Sequence, residues 1–283
     1  MGLGGYLTWT ATAREIRKKY GNNIKLLPVE QHGGFIKYIK SEVFENNEDF
    51  CNNLTLEKEF LLFPLILNNP NANYCKEDTP EKAIHRKDKH IIAQQCELYG
   101  IENPELKCKL NISGTDCYLV KSFIEKSVKT KKFITIEPHS KTNYTKNRTY
   151  PFDKWQKIVD EISKKVTVVQ VGVKGSKVLN NVVDATGMFT FKRTAKLISW
   201  SNLFVSSEGG LIHANTCFEN SKSLVIITGY QSKNMVAYPN NINVNISSHG
   251  PCGMKIECKQ CQKDALDHDH EEIINIVNRE LCL

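Results

Sequence analysis

No stretch of this 283-residue chain is long and apolar enough to cross a bilayer. Its longest hydrophobic run, FLLFPLIL at residues 60–67, is less than half of the roughly 20 residues a spanning helix needs, and Pro64 interrupts it. No basic, apolar and small-residue leader opens the sequence, so the expected location is the cytoplasm, with room for peripheral contact at the inner face of the membrane. The missing motifs also narrow the function. There is no G-x-S-x-G, no H-E-x-x-H and no kinase signature, which sets aside the common serine hydrolases, zinc proteases and kinases. GVKGSK at 172–177 looks like a phosphate loop but lacks the G-x-x-x-x-G-K-[ST] spacing, which excludes a P-loop NTPase.

Ten cysteines spread over this length are too dilute for a secreted disulfide scaffold, and they read as reduced thiols packed as small apolar side chains. Cys252, Cys258 and Cys261, followed by DHDH (His268, His270), raise a zinc reading. The second pair of a zinc ribbon is missing and His-x-His is an unusual partner spacing, so no metal is assigned. The formal charge of +7 implies an anionic partner: nucleotide phosphates, lipid headgroups, a phosphorylated glycan or nucleic acid. The basic residues are scattered, with only short clusters such as KSVKTKK, which disfavours a dedicated nucleic-acid stripe.

The length suits two domains, and the pattern changes where they should meet. TWTATAREIRKKYG reads as a helix that buries Ala11, Ile16 and Tyr20, gathers basic residues in its last turns and stops at Gly21. A glycine-rich lead, MGLGGYL, precedes it, and no strand precedes the glycines. NIKLLPV follows as a strand. TPEKAIHRKDKHIIAQQCELYG reads as one long helix with Thr79 as N-cap, Pro80 at the first position and Gly100 at the stop. After KSVKTKK, strands and helices alternate: KFITIEP, PFDKWQKIVDEISKK, VTVVQVG, TFKRTAKLISWS, NLFVSS, GLIHANTC and SLVIITG. Such alternation means βαβ units and a parallel sheet. The expected domains are residues 1–127 and 128–283.

In an open α/β sheet ligands bind beyond the carboxyl ends of the strands. The loop SSEGGLIH offers backbone N–H groups at Gly209 and Gly210 and a carboxylate at Glu208, fit either for a nucleotide-sugar or for an ordinary strand–helix turn. EPHSKTNYTKNRTYPF brings His139, Ser140, Lys141, Lys146 and Arg148 ahead of a helix, where a phosphate would find charged donors.

Taken together, four stretches resemble the family-9 glycosyltransferases, the ADP-heptose:lipopolysaccharide heptosyltransferase type. They are GLGGYLTWTATAREIRKKYGNNIKLL, RTYPFDKWQKIVDEI, DATGMFTFKRTAKLISWSNLFVSS and EGGLIHAN. The resemblance covers 134–238, is short at the N-terminus and does not extend across about 43–127. It implies an α/β protein of GT-B type, two Rossmann-like domains with mainly parallel sheets facing across a cleft, acceptor on the N-terminal side and donor on the other. It implies an inverting, metal-independent transfer from a nucleotide-diphosphate sugar to a glycan, lipid-linked or other anionic acceptor, with no cofactor. By position, Arg148 would meet the diphosphate with Ser140 and Lys141 beside it, Glu208 the sugar, and Gly209 and Gly210 the phosphates. His213 would support the loop, Gly187 line the base or ribose, and Gly4 and Gly5 face the acceptor. The family's aspartate general base aligns with Gly5, and Glu208 replaces its usual aspartate. Substitute bases are His32 first, then Glu30, and His139 from the donor side. The rival readings are a transferase acting on modified DNA and an inactive nucleotide-sugar-binding protein.

Overall fold

The computed structural model describes residues 2–51, 60–69, 71, 75–139 and 144–283. Helix α1 (Leu3–Tyr20) ends at Gly21, whose φ of 110° is a conformation that other residues adopt only with strain. It begins earlier than the glycine-rich lead suggests: Gly4 and Gly5 are helical, so the opening is not a loop. The middle of α1 is buried on every side, Trp9 and three threonines included. The threonine hydroxyls are tolerated because they find partners. Thr12 Oγ1 donates to Gln95 Oε1 (3.1 Å), and Gln95 Nε2 donates to Thr8 Oγ1 (2.9 Å). Tyr20 does not share the buried face with Ala11 and Ile16; it is 51% exposed.

Strand β1 (Ile24–His32) turns through Gly33 into β2 (Phe35–Tyr38), and β3 (Leu61–Ile66) runs parallel to β1, giving the order β2-β1-β3. A separate hairpin, β4 (Cys75–Asp78) and β5 (Ala83–His85), follows. The long helix expected over 79–100 is therefore a correction: only Ile91–Glu97 (α2) is helical. Thr79 does not cap a helix. Its hydroxyl accepts from the Lys82 amide and donates to the Lys82 carbonyl, closing a turn instead. Ala83 N then donates to the distant Gly253 carbonyl (2.8 Å), so tertiary pairing takes over residues whose local preference is helical. The cap of α2 is His90.

Helix α3 (Gly114–Phe123) opens with a Ser113–Asp116 capping box and runs into one π-helical stretch, Ile124–Val128, that stops at Lys129 with φ 59°. The alternating half then begins: β6 (Phe133–Glu137), α4 (Phe152–Ile162), β7 (Thr167–Gln170), β8 (Val183–Asp184), α5 (Phe191–Trp200) and β9 (Leu203–Ser207). After these come α6 (Gly210–Asn215), β10 (Ser223–Ile227), α7 (Lys233–Val236), β11 (Ile242–Asn245), α8 (Lys259–Asp267) and α9 (Glu271–Leu281). All six strands pair in parallel in the order β8-β7-β6-β9-β10-β11. Numbered within this half, that is 3-2-1-4-5-6, the doubly wound Rossmann order. Strands β9 and β10 are buried at every position, as a parallel sheet covered on both faces requires.

The change of pattern near residue 128 is not a break in the core. Leu7, Trp9 and Ile16 of α1 belong to one buried cluster with Phe204 of β9 and Val225 and Ile227 of β10. The other side of the sheet is filled by Trp155, Ile158, Ile273 and Val277 from α4 and α9. Helix α3 is tied to α5 by the Asp116–Arg193 ion pair (2.7 Å).

Candidate functional site

The chain reverses its direction of winding between β6 and β9, neighbours in the sheet whose connections leave toward opposite sides. At their carboxyl ends Glu137 stands in register with Ser206. This crevice is the place where open α/β sheets hold ligands, and Glu208 lies just beyond it. Glu208 is 5% exposed, and neither carboxylate oxygen has a hydrogen-bond partner among the described residues. Its counter-charge is Arg148, with Nε 3.6 Å from Oε1, an ion-pair distance too long for a good hydrogen bond. Burial pushes the Glu208 carboxyl up to about 7, against the pull of Arg148 and with Cys252 adding to the rise. The guanidinium carbon of Arg148 stacks 4.7 Å from the ring of Tyr230, while about a quarter of the side chain (24%) stays open to solvent. A carboxylate with empty acceptor sites beside a partly open guanidinium suits a ligand with both hydroxyls and an anionic group.

Gly209 is fully extended and leads into α6, where Gly210 meets α1. A Cβ on Gly4 would lie 2.7 Å from the Gly210 Cα and 3.3 Å from the His213 ring. Glycine is required there because two backbones touch. His213 Nδ1 pairs with the Tyr238 hydroxyl at 2.6 Å, and burial first, then Arg148, lowers its pKa to about 4. His90 packs edge-on to the same Tyr238 ring (4.6 Å). Glu208, Gly209, Gly210, His213, Arg148 and Gly4 therefore form one constellation.

The remaining expected residues fall elsewhere. Gly187 (φ 64°) is held against Lys174, which a Cβ would approach to 2.6 Å; it closes the turn that follows β8. His139 stacks on Phe152, and its Nε2 lies 2.7 Å from the Lys177 carbonyl. Glu30 accepts from Tyr6 (3.3 Å), two residues after Gly4, which ties it to the start of α1. His32 sits near the hairpin turn, its side chain 63% exposed, with Nε2 3.4 Å from Glu30. Gly5 lies within α1, where its carbonyl accepts from Thr8. Ser140 and Lys141 lie outside the described residues.

His90 makes a pH prediction possible. Its Nδ1 accepts from the Ile92 amide (3.2 Å), so the ring must be the neutral Nε2–H form, and burial with His213 nearby holds its pKa down at about 3. The unfolded chain takes up a proton below about 6.5 while the folded one refuses it until about 3, so stability is full above the imidazole range and falls as pH drops between them. His90→Asn keeps an oxygen to cap α2. It is expected to give a shallower decline of melting temperature between pH 6.5 and 4 than the unaltered chain, measured by calorimetry; parallel curves would refute the assignment.

A second cluster was only half visible in the sequence. Cys252, Cys258 and Cys261 come together with His249, not with His268 or His270; the four donor atoms all lie within 4.8 Å of one another. Cys261 Sγ is 3.3 Å from Cys252 Sγ and 3.6 Å from His249 Nε2, near the ~3.8 Å edge of a tetrahedron built on ~2.3 Å metal–sulfur bonds. His249 Nδ1–H donates to Asp264 (3.0 Å), which also accepts from the Ser248 amide and hydroxyl and from Gln260. A carboxylate that fixes a histidine tautomer from behind is the arrangement of metal-ligating histidines. The spacing H-x-x-C-x5-C-x-x-C was present in SHGPCGMKIECKQC and carries this signal. His268 instead pairs with the Tyr150 hydroxyl (2.9 Å) and Glu272. Cys252, Cys258 and Cys261 form no disulfide with one another.

The sheet order, with the acid–arginine pair just beyond its switch point, defines a doubly wound α/β protein, and the solved structures narrow this to the GT-B fold of heptosyltransferase type. The chain is similar to a family-9 glycosyltransferase from Veillonella parvula (TM-score 0.53, 11% identity, 70% of this chain and 62% of that one). It is similar to the ADP-heptose lipopolysaccharide heptosyltransferase II of E. coli (0.52, 13%, 69% and 62%). It is also similar to TibC of enterotoxigenic E. coli, an iron-containing dodecameric heptosyltransferase solved with ADP-D-β-D-heptose, over 99% of this chain and 74% of that one (0.63, 12%). The chain thus spans less than two thirds of the first two proteins. No family model and no curated protein matches it.

Proposed function

We propose that the chain binds a nucleotide-diphosphate sugar at the β6–β9 crevice and transfers the sugar, with inversion, to a glycan, lipid-linked or other anionic acceptor. The observation that carries this reading is Glu208, a buried carboxylate just beyond the switch point, beside Arg148, whose oxygens accept no hydrogen bond among the described residues. Sugar hydroxyls would satisfy the carboxylate. Arg148 would stand opposite the leaving diphosphate as a fixed cation, placed before reaction and so costing no reorganisation during it. The uncapped amino end of α1, with no acidic residue in its first turn, adds positive potential from the facing side. Of the three candidate bases, Glu30 is the one tied by Tyr6 to that junction; His32 would act only through it, and His139 stacks on Phe152 beside the Lys177 carbonyl. The three comparison proteins are glycosyltransferases, which supports the class, and two of them are described with ADP-heptose.

The His249–Cys252–Cys258–Cys261 set fits one transition-metal ion. Three sulfurs and one imidazole would supply four ligands, as many as a closed structural site takes, and such an ion would stabilise structure rather than activate substrate. Zinc and iron both suit thiolate-rich tetrahedral sites, and TibC is described as iron-containing.

The test is a binding screen by thermal shift against ADP-, UDP-, GDP-, dTDP- and CMP-sugars, with and without magnesium. The expected result is stabilisation by one diphosphate sugar, indifferent to magnesium, of about 2.7 kcal/mol at a hundredfold excess over Kd. The same ligand should leave Glu208→Ala unshifted. No shift of the unaltered chain with any of them overturns the reading.

A further inference from the structure

We propose that the cysteine–histidine centre is the positioning element of the diphosphate pocket, setting the place of Arg148 through its chain neighbour Asn147 and its ring partner Tyr230. The proposal rests on the donor-site reading above and adds to it a reason for the metal ligands.

The ligand loop between Cys252 and Cys258 contains no helix and makes one isolated bridge, Lys82 to Met254. Asn147, 3% exposed, grips it from one side. Its Nδ2 donates to the carbonyls of Met254 (2.7 Å) and Ile256 (2.8 Å), and its Oδ1 accepts from the Cys258 amide (3.0 Å). Thr145 adds a bond from its hydroxyl to the Met254 carbonyl (2.8 Å) and accepts from the Asn147 amide (3.1 Å). From the other side, Cys252 N donates to the Gly229 carbonyl (2.7 Å) and Gly253 N to that of Tyr230 (3.4 Å). A Cβ on Gly229 would lie 2.7 Å from Cys261 Sγ and 2.8 Å from His249 Cε1, so the centre sits directly on this backbone.

Arg148 is thus held at both ends by the ligand loop. The residue before it contributes all three of its side-chain hydrogen bonds to that loop. The aromatic ring under its guanidinium follows a glycine whose backbone carries the metal ligands. The loop has no regular structure of its own and is held by hydrogen bonds to its neighbours; an ion bound by its two ends would cross-link it and couple its shape to metal binding. With the ion lost, Asn147 and Tyr230 lose the surface that orders them, and Arg148 no longer points at one fixed place.

The experiment compares the full chain with Cys261→Ser, which removes a ligand, and Asn147→Ala, which leaves all four. Metal content is measured by plasma mass spectrometry, folding by far-ultraviolet circular dichroism, and affinity by calorimetry with ADP, UDP and the corresponding nucleosides as probes. The unaltered chain is expected to carry about one ion and Cys261→Ser none. Asn147→Ala should keep its ion. Both variants should bind the nucleoside diphosphate at least tenfold more weakly while binding the nucleoside unchanged, because only the diphosphate reaches Arg148. Equal loss for diphosphate and nucleoside would mean general damage and refute the coupling, as would full diphosphate affinity in metal-free Cys261→Ser. An unaltered chain that carries metal but binds no nucleotide would refute the donor reading itself, and an unaltered chain free of metal would refute the centre.

Discussion

Replacing Glu208 by glutamine is expected to raise the melting temperature of the ligand-free chain and to lower sugar transfer about tenfold to a hundredfold. The two effects share one cause. Glu208 is 5% exposed and accepts no hydrogen bond among the described residues, so its charge is held out of water with only Arg148 at 3.6 Å in return. An ion pair of that geometry repays desolvation poorly. Glutamine keeps the shape and removes the charge, and Arg148 tolerates the change because it remains partly solvated and stacked on Tyr230. The expected gain is about 1–2 kcal/mol. With a donor bound the sign reverses. Hydrogen bonds from sugar hydroxyls to a charged acceptor are worth about 1.5–3 kcal/mol, and at 1.36 kcal/mol per decade their loss gives the stated fall in rate. Calorimetry of the free chain and turnover of the donor found in the screen check the two halves separately. A glutamine variant less stable than the unaltered chain, or equally active, contradicts the placement of Glu208 in the site.

The parallel half of the fold was readable because its signals are local. Strands β7, β9 and β10 are short apolar runs closed by glycine or serine, and α4 and α5 are entered through Pro151 and a Thr190 cap, so neighbours in sequence suffice to name them. Strands β8 and β11 and helices α7 to α9 carry no such marks and go unnamed. Residues 79–90 were not readable in that way. Their composition favours a helix, and what makes β5 a strand is its antiparallel pairing with β4, reinforced at Ala83 by the Gly253 carbonyl 170 positions away in the chain. The same distinction runs through the site. Glu208, Gly209 and Gly210 stand out as a polar turn between apolar runs, and Arg148 as a basic residue before a helix. Tyr230, Tyr238, His90 and Asn147 have no such mark, since each matters only for what it touches in three dimensions. His249 had a signal in its spacing to Cys252, but the histidines of DHDH competed for it, and spacing could not choose between them.

Gly4 was expected on the acceptor side, in a glycine-rich lead ahead of the first helix. Within a helix, exchange of glycine for alanine ordinarily stabilises by about 0.5–1 kcal/mol, because alanine restricts the unfolded chain and favours the helix. Gly4→Ala is expected to do the opposite and destabilise the chain by about 2 kcal/mol or more. The new methyl would stand 2.7 Å from the Cα of Gly210, a backbone atom that no rotamer can move aside, and 3.3 Å from the His213 ring. Relief requires the amino end of α1 to shift from α6, and the cost of overpacking a close contact is about 1–3 kcal/mol. That shift carries function with it, since α6 begins directly after Glu208 and His213 sits against Gly4. Loss of donor affinity should therefore accompany the lower melting temperature. Gly114→Ala in the first turn of α3 is the control, because a Cβ there meets nothing within 4 Å; it should leave donor affinity unchanged and the melting temperature equal or slightly raised. If Gly4→Ala matches this control in melting temperature, then α1 and α6 do not meet as closely as the glycines imply, and the junction that brings Glu30 toward the donor site must be drawn differently.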